Sequence, residues 1–308
     1  MRTAFIKTLF ELAQRDDRIV LLTGDLGFGV VDRFMQELPQ QFINAGVAEQ
    51  NMTGLAAGMA LSGKIVFIYS IANFPVLRCL EQIRNDVCYH RINVKIVSIG
   101  GGMAYGAVGA THHATEDLAV MRALPNMVVV APNDIVEASL ATRAAVTHDG
   151  PFYLRMGRAG EPTIHKTDID FQVGKAIKVR EGCDLTFIVT GGLLKNVLGA
   201  SDALAQRGLQ ARVLSMHTIK PLDSVAVLEA VQETPAIFTV EEHTIIGGLG
   251  GAVAEALMEN DLRPTYFRRI GLQDTFTSRV GDQEYLRHVY GLSVEGIVHA
   301  AETTLTHA

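Results

Sequence analysis

Short apolar runs alternate with longer, helix-length stretches along most of the chain. Ile19–Thr23, Ile65–Tyr69, Val94–Ser98, Met127–Ala131 and Phe152–Arg155 read as strands covered on both faces. Between them, Asn51–Ser62, Val76–His90, Glu116–Leu124 and Ile135–His148 read as helices. This alternation predicts a parallel sheet with helices on both sides. The first residues, MRTAFIKTLFELAQRDD, place apolar side chains at helical spacing, broken by Lys7 and Glu11. They predict an amphipathic helix rather than a leader peptide.

The pattern breaks at about Met156–Gly174 and then restarts. Leu185–Thr190, Ala211–Ser215 and Ala236–Val240 are the strands of the second series, and Leu194–Gln206, Ser224–Gln232 and Gly250–Met258 its helices. The expected fold class is α/β, with two doubly wound parallel-sheet domains over 1–160 and 177–308 and a linker over 161–176. In open sheets of this kind, ligands sit beyond the carboxyl ends of the strands. That directs attention to Gly24–Gly29, Ala45–Glu49, Ser70–Phe74 and Gly100–His113.

Composition narrows the function classes. The chain is 48% hydrophobic and 19% charged, so nothing suggests disorder. The formal net charge is −6 and no Lys/Arg run occurs, which argues against nucleic acid as a partner. No apolar run approaches the roughly 18 residues of a membrane span. Cys79, Cys88 and Cys183 show no CxxC spacing and read as buried thiols of a reducing compartment, with cytoplasm as the default.

Two glycine-rich loops invite a nucleotide reading and fail it. GGGMAYGAVG at Gly100–Gly109 has Tyr105 at the third-glycine position of GxGxxG, and GGLGGAV at Gly247–Val253 has Val253 there. Close helix–strand packing explains the second loop equally well. Glu49 opens a helix rich in small residues, where an acid usually serves the helix dipole. The His112–His113 pair could be no more than a polar loop.

A resemblance changes the weight of these residues. GVAEQNM, around Glu49, resembles the pyrimidine-binding signature of the transketolase family, which is thiamine-diphosphate-dependent. THHATEDLAVMRALPNMVVVAPND, from Thr111, is similar to the family's histidine-containing stretch. HTIKPLD at His217–Asp223 and TVEEH with GGLGGAVAEAL resemble its C-terminal domain, taken as structural and supporting dimerisation. The resemblance implies that Glu49 bonds N1′ of the thiamine aminopyrimidine, where a carboxylic acid controls the tautomer. It implies that His112 faces the donor's oxygens, with His113 as its neighbour. Phe74, then Tyr69, are implied as contacts of the pyrimidine ring, and Asp25 and Leu26 of the GDL motif lie near the thiazolium. Arg155 and Arg158 in YLRMGR, with Arg78, are implied as holders of an anionic substrate group, since the planar guanidinium can bond two oxygens at once.

The family's diphosphate signature, GDG followed by an Asn pair, is missing: the GD pairs at Gly24 and Gly281 continue as GDL and GDQ. The implied Mg²⁺ and diphosphate ligands therefore belong to a second polypeptide, an N-terminal subunit, in an α₂β₂ assembly. No metal ligand is expected in this chain. Val108 and Gly100 stand where many relatives carry a hydroxyl-reading Asp and a phosphate-binding His. The expected function is transfer of a two-carbon ketol unit from an anionic ketose to an aldose. The alternatives are a 2-oxo-acid dehydrogenase E1 β-subunit and a deoxyxylulose-phosphate-synthase-like enzyme.

Overall fold

A computed structural model describes residues 1–158, 160–166 and 169–306. The strands of the first half are β1 (Ile19–Thr23), β2 (Phe42–Asn44), β3 (Ile65–Ile71), β4 (Val94–Ile99), β5 (Val128–Val130) and β6 (Phe152–Met156). Those of the second half are β7 (Ile177–Arg180), β8 (Leu185–Val189), β9 (Ala211–Ser215), β10 (Thr218–Lys220), β11 (Ala236–Thr244) and β12 (Tyr266–Leu272). One sheet runs β10-β5-β6-β4-β3-β1-β2, the other β12-β11-β8-β9-β7.

The α/β class is as the alternation predicts, but the sheets are mixed. β7 pairs antiparallel with β9, and β10 pairs antiparallel with β5, Thr218 opposite Val130. All other pairings are parallel. β10, from the HTIKPLD motif, thus lies on the edge of the first half's sheet. Consecutive apolar residues in β1, β4, β6 and β8 are buried at every position, as strands between two helix layers must be. One apolar cluster joins Val20, Val66 and Ile96 to Ile188, Ile219 and Leu249, so the core is continuous across both sheets.

The N-terminal helix Arg2–Ala13 forms as its spacing predicts, burying Phe5, Leu9 and Phe10. The stretch read as one helix over Val76–His90 is instead Phe74–Leu77, Leu80–Gln82 and a π-helical Ile83–Cys88. The first break falls at Cys79 (φ −107°, ψ 11°), five residues past the start of a helix that opens Phe74–Pro75. Cys79 and Cys88 are buried, but Cys183 is exposed, correcting its reading as a buried thiol.

The stretch between the two series is anchored where it is described; Ala159, Thr167 and Asp168 lie outside the described residues. Asp134 caps the helix Ile135–Thr147 through Val136 N and Glu137 N, and its other oxygen accepts from Ile164 N and His165 N at 2.8 Å each. The His165 ring meets Glu137 at 2.6 Å, and Ser215 of β9 donates to the same carboxylate. Burial alone would raise the Glu137 carboxyl, but His165, His217 and Ser215 hold it below the usual carboxylate range. Against its own desolvation, His165 is pushed up by Glu137 and Asp134. No helix of the described residues is long and apolar enough to cross a membrane.

Candidate active site

Four loops converge at the carboxyl ends of β1 to β4. β2, absent from the strands read in the sequence, carries the Ala45–Glu49 loop. At the end of β1, Asp25 adopts φ 57° and exchanges hydrogen bonds with Asn44: its N–H donates to Asn44 Oδ1, and Asn44 Nδ2 donates to Asp25 Oδ1, each 3.0 Å. Asp25 is exposed, and Leu26 is half-buried against the core.

Glu49 is the first residue of the helix Glu49–Leu61 and is 6% exposed. A Cβ on Gly24 would reach 3.8 Å from its Cγ, so the β1 loop lies directly over it. Arg78 Nη1 donates to Glu49 Oε1 at 3.2 Å, and Glu49 Oε2 has no partner among the described residues. The Arg78 guanidinium stacks on the Phe74 ring, 4.0 Å from its centroid. Phe74 meets the His112 ring edgewise, with centroids 5.2 Å apart. His112 is half-buried, its Nδ1 3.0 Å from Thr111 Oγ1. Asn73 Nδ2 donates to Thr111 O at 2.7 Å, while Asn73 Oδ1 is buried without a partner. Glu49, Arg78, Phe74 and His112 therefore form one continuous cluster.

Three nominated residues sit elsewhere than the resemblance suggested. Tyr69 is 1% exposed, within β3, stacked on Phe5 and pressed under Gly27, so Phe74 is the ring that faces the cluster. Arg155 is buried in β6 and held by hydrogen bonds: Nε donates to Asp117 at 2.7 Å, and Nη2 to Ala114 O and Glu242 O. Its pairing with Asp117 is a buried ion pair, away from the Glu49 and His112 cluster. His113 turns inward, its Nδ1 2.6 Å from Thr277 Oγ1 of the second half.

Arg158, beyond the end of β6, is exposed and lies 4.9 Å over the Tyr105 ring, with no ion pair among the described residues. Sequence reasoning missed Tyr105 and Arg2. The Tyr105 ring is 6.4 Å from that of His112 and fills the space any side chain on Gly100 would need. Burial pushes up the phenols of Tyr69 and Tyr105, and the nearby charge of Arg2 opposes it at both. Arg2 Nε is buried with no hydrogen-bond partner among the described residues. An aromatic amid the glycines of Gly100–Gly109 was the available signal for Tyr105. Nothing local marked Arg2, a helix-start residue some hundred positions away.

A buried acid with one free oxygen, beside an aromatic ring and a histidine, suits a flat heteroaromatic cofactor with a basic ring nitrogen. Among the described residues, no group of three His, Cys, Asp or Glu is arranged to hold a metal. The fold and site thus define an α/β protein with a site for an organic cofactor beyond its strand ends.

Comparison with known proteins gives the family. Residues 1–161 match "Transketolase, pyrimidine binding domain" and residues 174–297 match "Transketolase, C-terminal domain". The chain is 43% identical to an apulose-4-phosphate transketolase subunit of Phocaeicola vulgatus, over 97% of this chain and 96% of that one. It is 41% identical to the 6-deoxy-6-sulfo-D-fructose transketolase subunit SqwH of a Clostridium species, over 98% and 93%. It matches the structure described as "Split gene transketolase, inactive beta4 tetramer" with TM-score 0.91 and 39% identity, over 99% and 98% of the two chains. The chain belongs to the transketolase family, whose cofactor is thiamine diphosphate, and has the extent of a split-transketolase subunit.

Proposed function

We propose that this chain is the β-type subunit of a transketolase that moves a two-carbon ketol unit from an anionic ketose to an aldose. The observation that carries the reading is Glu49, buried at a helix start with one carboxylate oxygen free, beside Phe74 and His112. Glu49 would hold a proton against N1′ of the aminopyrimidine, and Phe74 would pack on that ring. When bound, thiamine diphosphate supplies the carbon nucleophile and electron sink for C–C cleavage. His112 faces the donor oxygens and moves a proton there. Asp25 and Leu26 flank the thiazolium side, where Gly24 closes over Glu49.

Arg158, with Arg2 behind Tyr105 and Arg78 across the cluster, holds the anionic end of the sugar. Two relatives are named for a phosphorylated and a sulfonated ketose, which fits this cationic rim. Mg²⁺ and the diphosphate fall to a partner subunit with the GDG and Asn-pair signature, because hard-cation ligands of that kind are missing from the motifs here. The complete enzyme is an α₂β₂ heterotetramer. Its compartment is the cytoplasm, consistent with three unpaired cysteines.

The test is reconstitution. This chain alone, with thiamine diphosphate and Mg²⁺, should show no ketol transfer from any ketose, and activity should appear on adding the partner. Robust transfer by the isolated chain would sink the split-subunit reading.

A further inference from the structure

The loop Gly100–His113 carries His112 and is rich in glycine, so its own backbone does little to fix it. The restraint comes from the second half of the chain. Met103 N donates to Glu242 Oε1 at 2.6 Å, and Glu242 in turn is paired with Arg287. Gly106 is pressed so closely against Gly281 and Leu286 that a Cβ there would collide with both.

The third tie is Thr277. It lies between the exposed Phe276 and Val280, yet is itself buried, with Oγ1 2.6 Å from Nδ1 of His113. Desolvation pushes the His113 imidazole below its ordinary pKa, with the Gly106 backbone opposing in part. A neutral ring has one donor and one acceptor nitrogen. Nε2 of His113 is buried without a close partner among the described residues, so the contact with Thr277 is the ring's one side-chain hydrogen bond. His112 is joined to His113 by a single peptide unit, and its ring points the other way, toward Phe74 and Tyr105.

We infer that Thr277 is a positioning residue for the reaction: by anchoring His113 from the second half of the chain, it sets the direction in which His112 meets the substrate. This rests on the assignment of His112 to the donor. It gives the C-terminal domain a part in catalysis, beyond the structural and dimer-forming role expected of it.

The test uses the reconstituted two-chain enzyme with thiamine diphosphate and Mg²⁺. Thr277→Val keeps the side chain's shape and removes the hydroxyl. It should lower kcat about tenfold, the order of one lost hydrogen bond, with KM and cofactor affinity unchanged. Thr277→Ser should restore most of the loss. In a His112→Ala background, Thr277→Val should cost nothing further, because the hydroxyl acts through His112; a merely structural contact would give additive losses. Wild-type kcat in Thr277→Val, no rescue by Ser, or full additivity overturns the inference. If the valine variant does not assemble, Thr277→Ala is read by the same cycle and the same criteria. A wild-type complex that transfers no ketol unit overturns the functional reading and this inference together. An active wild type with an unaffected valine variant overturns this inference alone.

Discussion

Glu49 opens its helix with one oxygen held by Arg78 and the other free, and Gly24 lies alongside its side chain. Exchange of its carboxyl group for an amide keeps the shape and removes the ability to share a proton with a ring nitrogen. In the assembled enzyme, Glu49→Gln should slow C2-proton exchange of bound thiamine diphosphate by at least about 10²-fold, measured by deuterium uptake. Unchanged exchange would reduce Glu49 to a helix-start acid. Specificity turns on other residues. Val108 is 51% exposed near the tip of the histidine loop and cannot accept a bond from a substrate hydroxyl. Val108→Asp should raise kcat/KM for xylulose 5-phosphate relative to branched or sulfonated ketoses, by the 1–3 kcal/mol or so of one paired polar contact. A wild type that already prefers xylulose 5-phosphate by more than about 10²-fold would refute that assignment. The exchange at Gly100 is of another kind. There the Tyr105 ring takes the volume, so restoring a side chain at that position requires the tyrosine to move as well.

At the level of elements, a residue's position relative to the end of its strand decided whether it is buried or reaches the surface. Tyr69 and Arg155 lie inside β3 and β6, strands covered on both faces, so both are buried whatever their chemistry. Phe74 and Arg158 come a few residues past those ends and face outward. The sequence showed the strands but did not mark their last residues sharply enough to separate the members of each pair. Arg155 is tolerated inside because Asp117 and two backbone carbonyls satisfy it. Periodicity located the long helices, Glu49–Leu61 and Ile135–Thr147, to within a few residues. It could not register the division of the 76–90 stretch, because the break at Cys79 leaves the apolar spacing nearly intact. β2 and β10, three residues each, are too short to show a period at all.

Across the whole molecule, the two series of strands were legible as separate runs, but their joining was not. Long-range partners are set by three-dimensional closure, and no local pattern announces that β10 will leave its own sheet for β5. A polar knot also crosses the junction. Asn133 bonds Val189 O and Ser215, Ser215 bonds Glu137, and Glu137 bonds His165, with His217 and Asp134 adjacent. His165 is raised above its ordinary value of 6.5, so its contribution to stability is complete below that pH and fades as pH rises through the folded value. Glu137 is lowered from 4.5, so its contribution is present above that pH and fades as pH falls through its folded value. His217 is held toward the neutral form by burial and does not compete for the charge. Wild type should therefore exceed His165→Gln in unfolding free energy by more at about pH 6 than at about pH 8.5, measured by urea titration. Equal differences at both would show that the pair carries no charge.

The strand β10 has one more consequence. Because Thr218 and Lys220 close the edge of a sheet whose other strands precede residue 160, the chain is interlaced. A polypeptide interrupted between the halves would not yield two free bodies; its fragments would have to find each other again, as the pieces of a complementing enzyme do.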